Sequence, residues 1–172
     1  MKYLFTILFF SLLIFANQSE AAIAFDATST GTAASGTSIT FSHTITSTTT
    51  NRILFVHSVG DSASGAITCT YNTVAMTEIA NKPEGPQTFD LNYLADPATG
   101  ANNVVCSRSG TAGEFLANAA SYTGASQTGI PDAFTTASGT TSLTTSTTTI
   151  ADNSWVILAG RAPGYDLVAG AN

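Results

Sequence analysis

Short β-strand candidates follow one another along most of this chain, and no helical hydrophobic pattern separates them. Residues 37–46 alternate polar and apolar side chains around Ile39 and Ile45. Residues 52–59 are apolar on both faces, which is typical of a central strand covered on both sides. A βαβ fold is excluded because it needs a helix between successive strands. The pattern predicts an all-β protein, an antiparallel β-sandwich resembling a jelly roll.

The other strand candidates are bounded by turn residues such as Gly, Pro, Asn and Asp. They comprise residues 23–26, 66–71, 74–79, 88–94, 103–107, 114–123, 140–150 and 155–159. Asn72 and Thr73 predict a hairpin turn. Residues 81–87 contain two prolines and a glycine, and these predict a long loop. A short helix is the alternative for residues 114–123 because they contain several alanines.

Charged residues make up only 9% of the chain, about a third of the usual share of roughly 25%. Thr and Ser occupy most polar positions, and β-branched Thr favours strands over helices. The formal net charge is −6, and the few Lys and Arg residues are scattered. Nucleic-acid binding requires clustered basic residues that neutralise phosphates. Composition therefore supports a Thr-rich β-protein and excludes a nucleic-acid partner.

Residues 1–21 have the three-part layout of a secretory signal peptide. Lys2 supplies the positive region and residues 4–16 form the apolar run. Small residues precede a cleavage site between Ala21 and Ala22. A membrane anchor is disfavoured because the apolar run is shorter than the roughly 20 residues of a spanning helix. We expect a secreted or cell-surface protein with no transmembrane segment after cleavage.

Residues 22–172 are numerous enough for one domain with its own core. Residues 163–172 resemble a loop that leaves a strand, with nothing after it to close a sheet. We therefore expect a single β-sandwich domain that is C-terminally incomplete and lacks its last strand or strands. A missing strand leaves an open sheet edge that can pair with another chain.

Cys69 and Cys106 are the two cysteines of the chain. In an exported protein, two cysteines form a disulfide more often than a metal site or a nucleophile. Cys69 shares a predicted strand face with Ile67 and Tyr71, and Cys106 alternates with Val104 in the same way. Both cysteines are expected to point into the core and to form a disulfide. Two separate buried thiols are the alternative.

No residue pattern predicts a catalytic site, and we expect no enzyme activity. Ser62 lies in a Gly-Asp-Ser sequence that resembles the nucleophile motif of GDS-type hydrolases. A nucleophilic serine needs a base held by a third group. Both histidines precede Ser62 here, and the helices of that fold are missing. His43 and His57 with Asp26 or Asp61 are the alternative of a metal pair, although scattered histidines are typically ordinary strand residues.

Several aspartates fall in or near predicted loops, where calcium ligands are often found. They are Asp61, Asp90, Asp96, Asp132 and Asp166. Calcium needs several oxygens together, and no spacing in this sequence names such a group. We therefore predict no metal site and no cofactor, and calcium is the one ion that the aspartates leave open.

Five segments of the chain recur in the order of a known module. They are residues 52–56, 70–77, 93–94, 97–100 and 120–128. Together they resemble a β-sandwich module found in bacterial secreted, surface and phage-associated proteins, many of them uncharacterised. The segments are turns and core strands, so the resemblance implies a jelly-roll or lectin-like fold and transfers no catalytic residue. Members usually continue through further strands after the segment around Trp155.

Loops at one end of a sandwich often carry its ligand site, which favours residues 80–87 and 124–139. Tyr165, in a loop with Gly and Pro, is the candidate ligand-binding residue because aromatic faces suit the apolar side of a sugar ring. Trp155 lies in an apolar run and is expected to pack in the core. We predict a non-catalytic binding or adhesion module with an extracellular polysaccharide as partner. The alternative is a structural subunit of an appendage or matrix fibre that binds copies of itself through sheet edges.

Overall fold

Nine strands make up the regular structure of the described chain, which contains no helix. This computed structural model describes residues 22–61, 65–110, 113–139, 144–150 and 154–160. The strands are β1 (Ala24–Ala33), β2 (Ser38–Ile45), β3 (Ile53–Asp61), β4 (Thr68–Tyr71), β5 (Val74–Ala75), β6 (Thr77–Glu84), β7 (Gln87–Ala95), β8 (Gly100–Ser107) and β9 (Phe115–Thr123). Within these ranges there is no helix of the length and hydropathy that a membrane crossing requires. The predicted all-β class is confirmed.

The strands form two antiparallel sheets. The large sheet has the order β1-β9-β3-β7-β6, and the small sheet has the order β2-β8-β4-β5. With β6 set aside as an additional edge strand, each sheet has four strands in jelly-roll order. Strands from opposite ends of the sequence lie side by side in both sheets, β1 with β9 and β2 with β8. The predicted antiparallel, jelly-roll-like sandwich is therefore confirmed.

The central strand of the large sheet is β3, which pairs with β9 on one side and β7 on the other. Successive strand residues point to opposite faces. Leu54 and Val56 point into the core and are fully buried. Ile53 and Val59 point to the outer face of the sheet and are buried as well. The prediction of a strand covered on both faces over residues 52–59 is confirmed.

The core lies between the inner faces of the two sheets. Its buried members are Ile39, Ile45, Leu54, Val56, Ile67, Cys69, Tyr71, Val104, Cys106, Phe115, Ala117 and Ala119. Tyr71 is the largest of them, and its hydroxyl lies 3.1 Å from the carbonyl oxygen of Ala98 and 3.2 Å from that of Gly100. The buried phenol therefore keeps a hydrogen-bond partner, as buried polar groups normally do.

The first strand extends well past its predicted end at residue 26. Thr, Ser and Gly continue it to Ala33, where it pairs with β9. A glycine inside a strand often marks a close approach of another group. At Gly31 an added β-carbon would collide with the Phe41 ring of β2. The small residues of β1 therefore allow the edges of the two sheets to pack closely.

Residues 81–87 do not form the predicted long loop. The strand β6 runs to Glu84, and β7 begins at Gln87. Pro83 is tolerated because β6 is an edge strand with β7 as its strand neighbour in the described chain. Gly85, with a φ of 57°, takes the left-handed conformation that the tight turn requires. Proline and glycine therefore belong to a hairpin.

The hairpin turn at residues 72–73 forms as predicted, whereas the alternative of a helix over residues 114–123 does not. Asn72 and Thr73 both have positive φ, 47° and 66°, and connect β4 to β5 as the predicted hairpin turn. The alternative of a helix over residues 114–123 is wrong, because this segment forms β9. Its alanines fill inward positions such as Ala117 and Ala119, where the sheets leave room for small side chains only.

The described parts of the last two strand candidates are not strands. Residues 144–150 and 154–160 run without strand pairing. Trp155 is 51% exposed, so its predicted place in the core is also wrong. Strand propensity depends on packing against neighbouring strands, and this segment has none among the described residues. The prediction of strands over residues 140–150 and 155–159 is therefore wrong for the described parts of both segments.

The predicted disulfide between Cys69 and Cys106 is confirmed. The two cysteines are direct partners across β4 and β8, and both are buried. The bridge closes a chain segment with a sequence separation of 37 residues. It therefore ties the short strand β4 to the longer β8 at the centre of the small sheet.

Replacing both cysteines by alanine should lower the free energy of unfolding by about 4 kcal/mol, since the bridge restricts the unfolded chain. Urea unfolding of the oxidised protein and of the Cys69→Ala/Cys106→Ala variant measures the difference. Wild-type protein unfolded in the presence of a reductant serves as the control and should match the variant. A loss below about 1 kcal/mol would contradict this role of the bridge.

Candidate functional site

The outer face of the large sheet collects aromatic side chains from four strands. Antiparallel register places Phe25 of β1 opposite Tyr122 of β9, and Phe55 of β3 opposite Tyr93 of β7. Trp155 packs on this surface from the C-terminal segment. We call this surface the aromatic face. Its members are Phe25, Phe55, His57, Tyr93, Asn118, Tyr122 and Trp155.

Tyr122 lies at the centre of the ring contacts. Its ring centroid is 5.9 Å from that of Phe25, 6.3 Å from that of Phe55 and 5.7 Å from that of Trp155. All three pairs are edge-to-face, a favourable arrangement for aromatic rings. Phe25 is 57% exposed and Trp155 is 51% exposed. The cluster is therefore held together internally while two of its rings keep open surface.

His57 places a polar group within this apolar surface. It lies on the outer side of β3, opposite Asn118 of β9 and Leu91 of β7. Its Nε2 atom is buried and has no hydrogen-bond partner in the described chain. Burial lowers the pKa of His57 to about 4, so the ring is neutral at pH 7. A buried polar atom without a partner costs about 1–3 kcal/mol, and such atoms often mark functional sites.

A hydroxyl and an amide continue the polar row from His57 towards β1. Thr30 pairs with Asn118 across β1 and β9, and its Oγ1 donates a hydrogen bond of 3.0 Å to Asn118 Oδ1. Both residues are exposed. The aromatic face therefore offers exposed rings at Phe25 and Trp155. Two rows along β9 from Tyr122 it offers an exposed amide beside the buried imidazole of His57.

A second histidine, His43 of β2, lies inside the sandwich and is 1% exposed. Its Nδ1 is 2.8 Å from Ser29 Oγ, and its Nε2 is 3.1 Å from Ser121 Oγ. Ser121 Oγ donates its proton to Asp26 Oδ2 at 2.8 Å, so it accepts from His43 Nε2–H. Nδ1 is then the acceptor for the Ser29 hydroxyl. This chain of bonds fixes one neutral tautomer of His43.

The pKa values of this chain of groups follow from burial and hydrogen bonding. Burial opposes ionisation of Asp26, but hydrogen bonds from Thr46, Ser121 and Ser47 hold its pKa below the usual value. Burial lowers the pKa of His43, and the Asp26 charge acts in the opposite direction. At neutral pH the group is therefore an ionised carboxylate linked through a hydroxyl to a neutral imidazole.

The His43 chain differs from a catalytic Ser-His-Asp arrangement. In that arrangement the carboxylate holds the imidazole directly and the other nitrogen activates the serine. Here Asp26 reaches His43 only through Ser121, and a serine occupies each ring nitrogen. The interaction joins β1, β2 and β9, and its geometry is that of a satisfied buried network.

The structure separates the residues of the alternative metal pair. His43 lies between the sheets and His57 on the outer face of the large sheet, so one ion cannot bind both. No group of three or more His, Cys, Asp or Glu side chains suited to a metal occurs within the described ranges.

Ser62 and Tyr165 lie outside the described residues. Residues 80–87 form a hairpin, whereas residues 124–139 are irregular as predicted.

The aromatic face was not predicted from the sequence, although the alternation along β3 and β9 already assigned some of its members to one side of the sheet. Phe55 and His57 alternate with the core residues of β3, and Tyr122 stands in the same relation to β9. Period-two alternation therefore assigns them to the outer surface. It does not tell which strands lie side by side, and only that pairing brings Phe25, Tyr122 and Phe55 together.

Comparison of the chain with protein-family models, curated proteins and solved structures finds no match. The resemblance to the bacterial secreted module therefore stays a prediction.

The buried neutral state of His57 makes stability depend on pH. The folded pKa of His57, about 4, lies below the ordinary histidine value of 6.5, so between these values the unfolded chain binds the proton and the folded chain does not. Stability is therefore lost as pH falls from 6.5 towards 4. Relative to His57→Leu, the wild type should lose about 3 kcal/mol of unfolding free energy between pH 7 and pH 4.

Urea unfolding at several pH values measures this difference. All other titrating groups are common to both proteins, so their contributions cancel in the comparison. Parallel stability profiles for the wild type and His57→Leu would show that the imidazole is solvated and titrates normally.

Proposed function

We propose that this protein is an exported, non-catalytic binding module whose aromatic face takes a carbohydrate ligand. The observation that carries the proposal is the unpartnered Nε2 of His57 on the same sheet face as the half-exposed ring of Trp155. Export rests on the predicted signal peptide of residues 1–21. Tyr165 remains a candidate from the sequence and lies outside the described residues.

Sugar rings have an apolar side of C–H groups and a rim of hydroxyls. An exposed aromatic ring packs against the apolar side, whereas the hydroxyls need polar partners. Trp155 and Phe25 offer exposed rings, and Asn118 offers an amide. His57 Nε2 is shielded from solvent, so a ligand hydroxyl reaches it only when a neighbouring side chain moves. Such a bond would complete the hydrogen bonding of a buried atom and remove an existing cost.

The charge of the surface favours an uncharged sugar. None of the seven members of the aromatic face is Asp, Glu, Lys or Arg, and His57 is neutral at pH 7 because burial lowers its pKa. Lys82 of β6 is a basic residue in the outward-facing register of the same sheet, and it is a single charge at the sheet edge. An acidic polysaccharide would need basic partners, which the face does not supply. Neutral glucans, mannans or related polymers are the ligand class that this chemistry fits.

A panel of insoluble neutral polysaccharides tests the proposal by co-sedimentation. We expect retention on at least one polymer, and an affinity lowered about tenfold or more in Trp155→Ala and His57→Leu. Val74→Ala is the matched control, since Val74 is similarly exposed but belongs to the small sheet. Retention that is equal in all four proteins would place any sugar site elsewhere, and no retention on any polymer would refute carbohydrate binding.

A specific observation also supports the second candidate, a structural subunit that assembles through sheet edges. In the described chain β1 and β2 are edge strands of 10 and 8 residues. Natural edge strands are commonly protected by Lys, Pro or bulges. Here β1 has one ionisable carboxylate, Asp26, beside its bulge, and β2 contains no Asp, Glu, Lys or Arg. As edge strands of the two described sheets, they are suited to pairing with a second copy.

Size-exclusion chromatography over a range of protein concentrations tests this assembly. We expect larger species at high concentration, and a return to monomer in Thr32→Lys/Thr40→Lys, because lysine on an edge strand opposes pairing. Thr70→Lys is the control, as Thr70 lies on β4 and pairs with β5 on one side and β8 on the other. A wild-type protein that stays monomeric at all concentrations contradicts the assembly.

A further inference from the structure

The inner face of the large sheet changes from apolar to polar where it reaches β7 and β6. In register, Ser58 of β3 lies opposite Asp90 of β7, and Asp90 lies opposite Asn81 of β6. In the next row Asn92 lies opposite Glu78. These five side chains therefore occupy adjacent positions on one sheet face, and all of them carry oxygen atoms.

Most of this cluster is removed from solvent. Ser58 is fully buried, Asp90 is 1% exposed and Asn92 is 2% exposed. Glu78 is exposed, so the cluster opens to solvent on the β6 side. Lys82 pairs with Phe89, which places it in the outward-facing register and away from the cluster. Neither Glu78 nor Asp90 therefore has a lysine of its own strand on the same face of the sheet.

The Asp90 carboxylate is the centre of the cluster. Asn81 Nδ2 donates to its Oδ2 at 2.9 Å, and the Asn92 amide contacts its Oδ1. Burial raises the pKa of Asp90 to about 6, and the neighbouring Glu78 charge acts in the same direction. Two carboxyl groups in one place repel each other when both are ionised.

An independent feature of the same cluster is the hydroxyl of Ser58. Its Oγ is buried and has no hydrogen-bond partner in the described chain. On one side its cross-strand neighbour is Ala117, which offers only a methyl group, and on the other side it is Asp90. Of its two cross-strand neighbours, Asp90 is therefore the polar one. Buried oxygens in proteins are normally paired with a protein group, an ordered water or an ion.

We infer that Ser58, Glu78, Asn81, Asp90 and Asn92 form a binding site for a divalent cation with the properties of Ca²⁺. Calcium takes six to eight oxygen ligands at about 2.3–2.6 Å in flexible geometry, including carboxylates and amide carbonyls. A half-turn of the Asn81 and Asn92 amides presents Oδ1 instead of Nδ2, and the two orientations are related by a simple flip. The positive charge of the ion offsets the negative charges of the two carboxylates. The ion also accepts a lone pair from Ser58 Oγ.

Calcium fits this site better than magnesium. Magnesium demands nearly ideal octahedral geometry and gives up its water reluctantly, so it rarely occupies a site built from protein side chains alone. Side chains from three neighbouring strands, with two flexible amides, suit the looser calcium geometry. The site lies on the opposite face of the large sheet from the aromatic face, so it does not depend on carbohydrate binding.

Isothermal titration calorimetry of chelator-treated protein with calcium chloride tests the inference. We expect one saturable site per chain with a dissociation constant of about 0.1–1 mM, and weaker binding of magnesium. Asp90→Asn and Glu78→Gln should each weaken calcium binding about tenfold or more. Glu84→Gln on the same strand is the matched control and should bind as the wild type does.

The Ser58→Ala variant distinguishes a serine that binds the ion from a serine with a purely structural role. Removing an unpartnered buried hydroxyl should leave the calcium-free protein as stable or more stable, while lowering calcium affinity. Thermal unfolding with and without calcium gives both readings. The inference is overturned by the absence of heat and of a thermal shift up to about 10 mM calcium, or by binding that Asp90→Asn and Glu78→Gln leave unchanged.

Discussion

The hydrogen-bonded pairing of β3 with β9 and β7 is the constraint on which the rest of this structure depends. Once this register is set, alternation along β3 sends Leu54, Val56 and Ser58 to the inside and Phe55 and His57 to the outside. A shift by one residue would exchange the two faces, which would expose the core and bury the histidine between the sheets. Apolar residues on both faces of β3 explain why this strand occupies the centre.

The large sheet therefore presents two chemically different faces built from the same strands. Its inner face carries core residues such as Leu54 and Ala117 at the centre and becomes polar towards β6, where Asp90 lies next to Ser58. Its outer face joins rings to the neutral imidazole of His57. In the small sheet the Cys69–Cys106 bridge joins β4 to β8. The proposed sugar surface and the inferred cation site share a scaffold but no side chain.

Much of the fold follows from local sequence patterns. The apolar residues of β3 and the turn at Asn72 were predictable because each depends on residues close in sequence. The disulfide was predictable because an exported chain with two cysteines usually pairs them. Pro83 misled the prediction, since proline breaks central strands but is tolerated at a sheet edge. The apolar run at Trp155 also led to a wrong strand prediction, because such a run forms a strand only where it can pair with the edge of a sheet.

The candidate sites were less predictable than the strands. The aromatic face requires Phe25 and Tyr122 to be neighbours, although they are far apart in sequence. The cation cluster likewise depends on the register of three strands and on Asn81, which lies in a segment predicted as a loop. Alternation assigns a face to each residue, but only strand order brings residues of one face together.

Trp155 is the only tryptophan of the chain, so its fluorescence reports on the aromatic face directly. The most direct test is a titration with soluble oligosaccharides of a polymer that retains the protein, followed by Trp155 emission, with calorimetry run alongside. We expect a saturable change in emission with the same dissociation constant as the calorimetric one. Saturable heat without any change in Trp155 emission would contradict it, because the sugar would then bind away from the aromatic face.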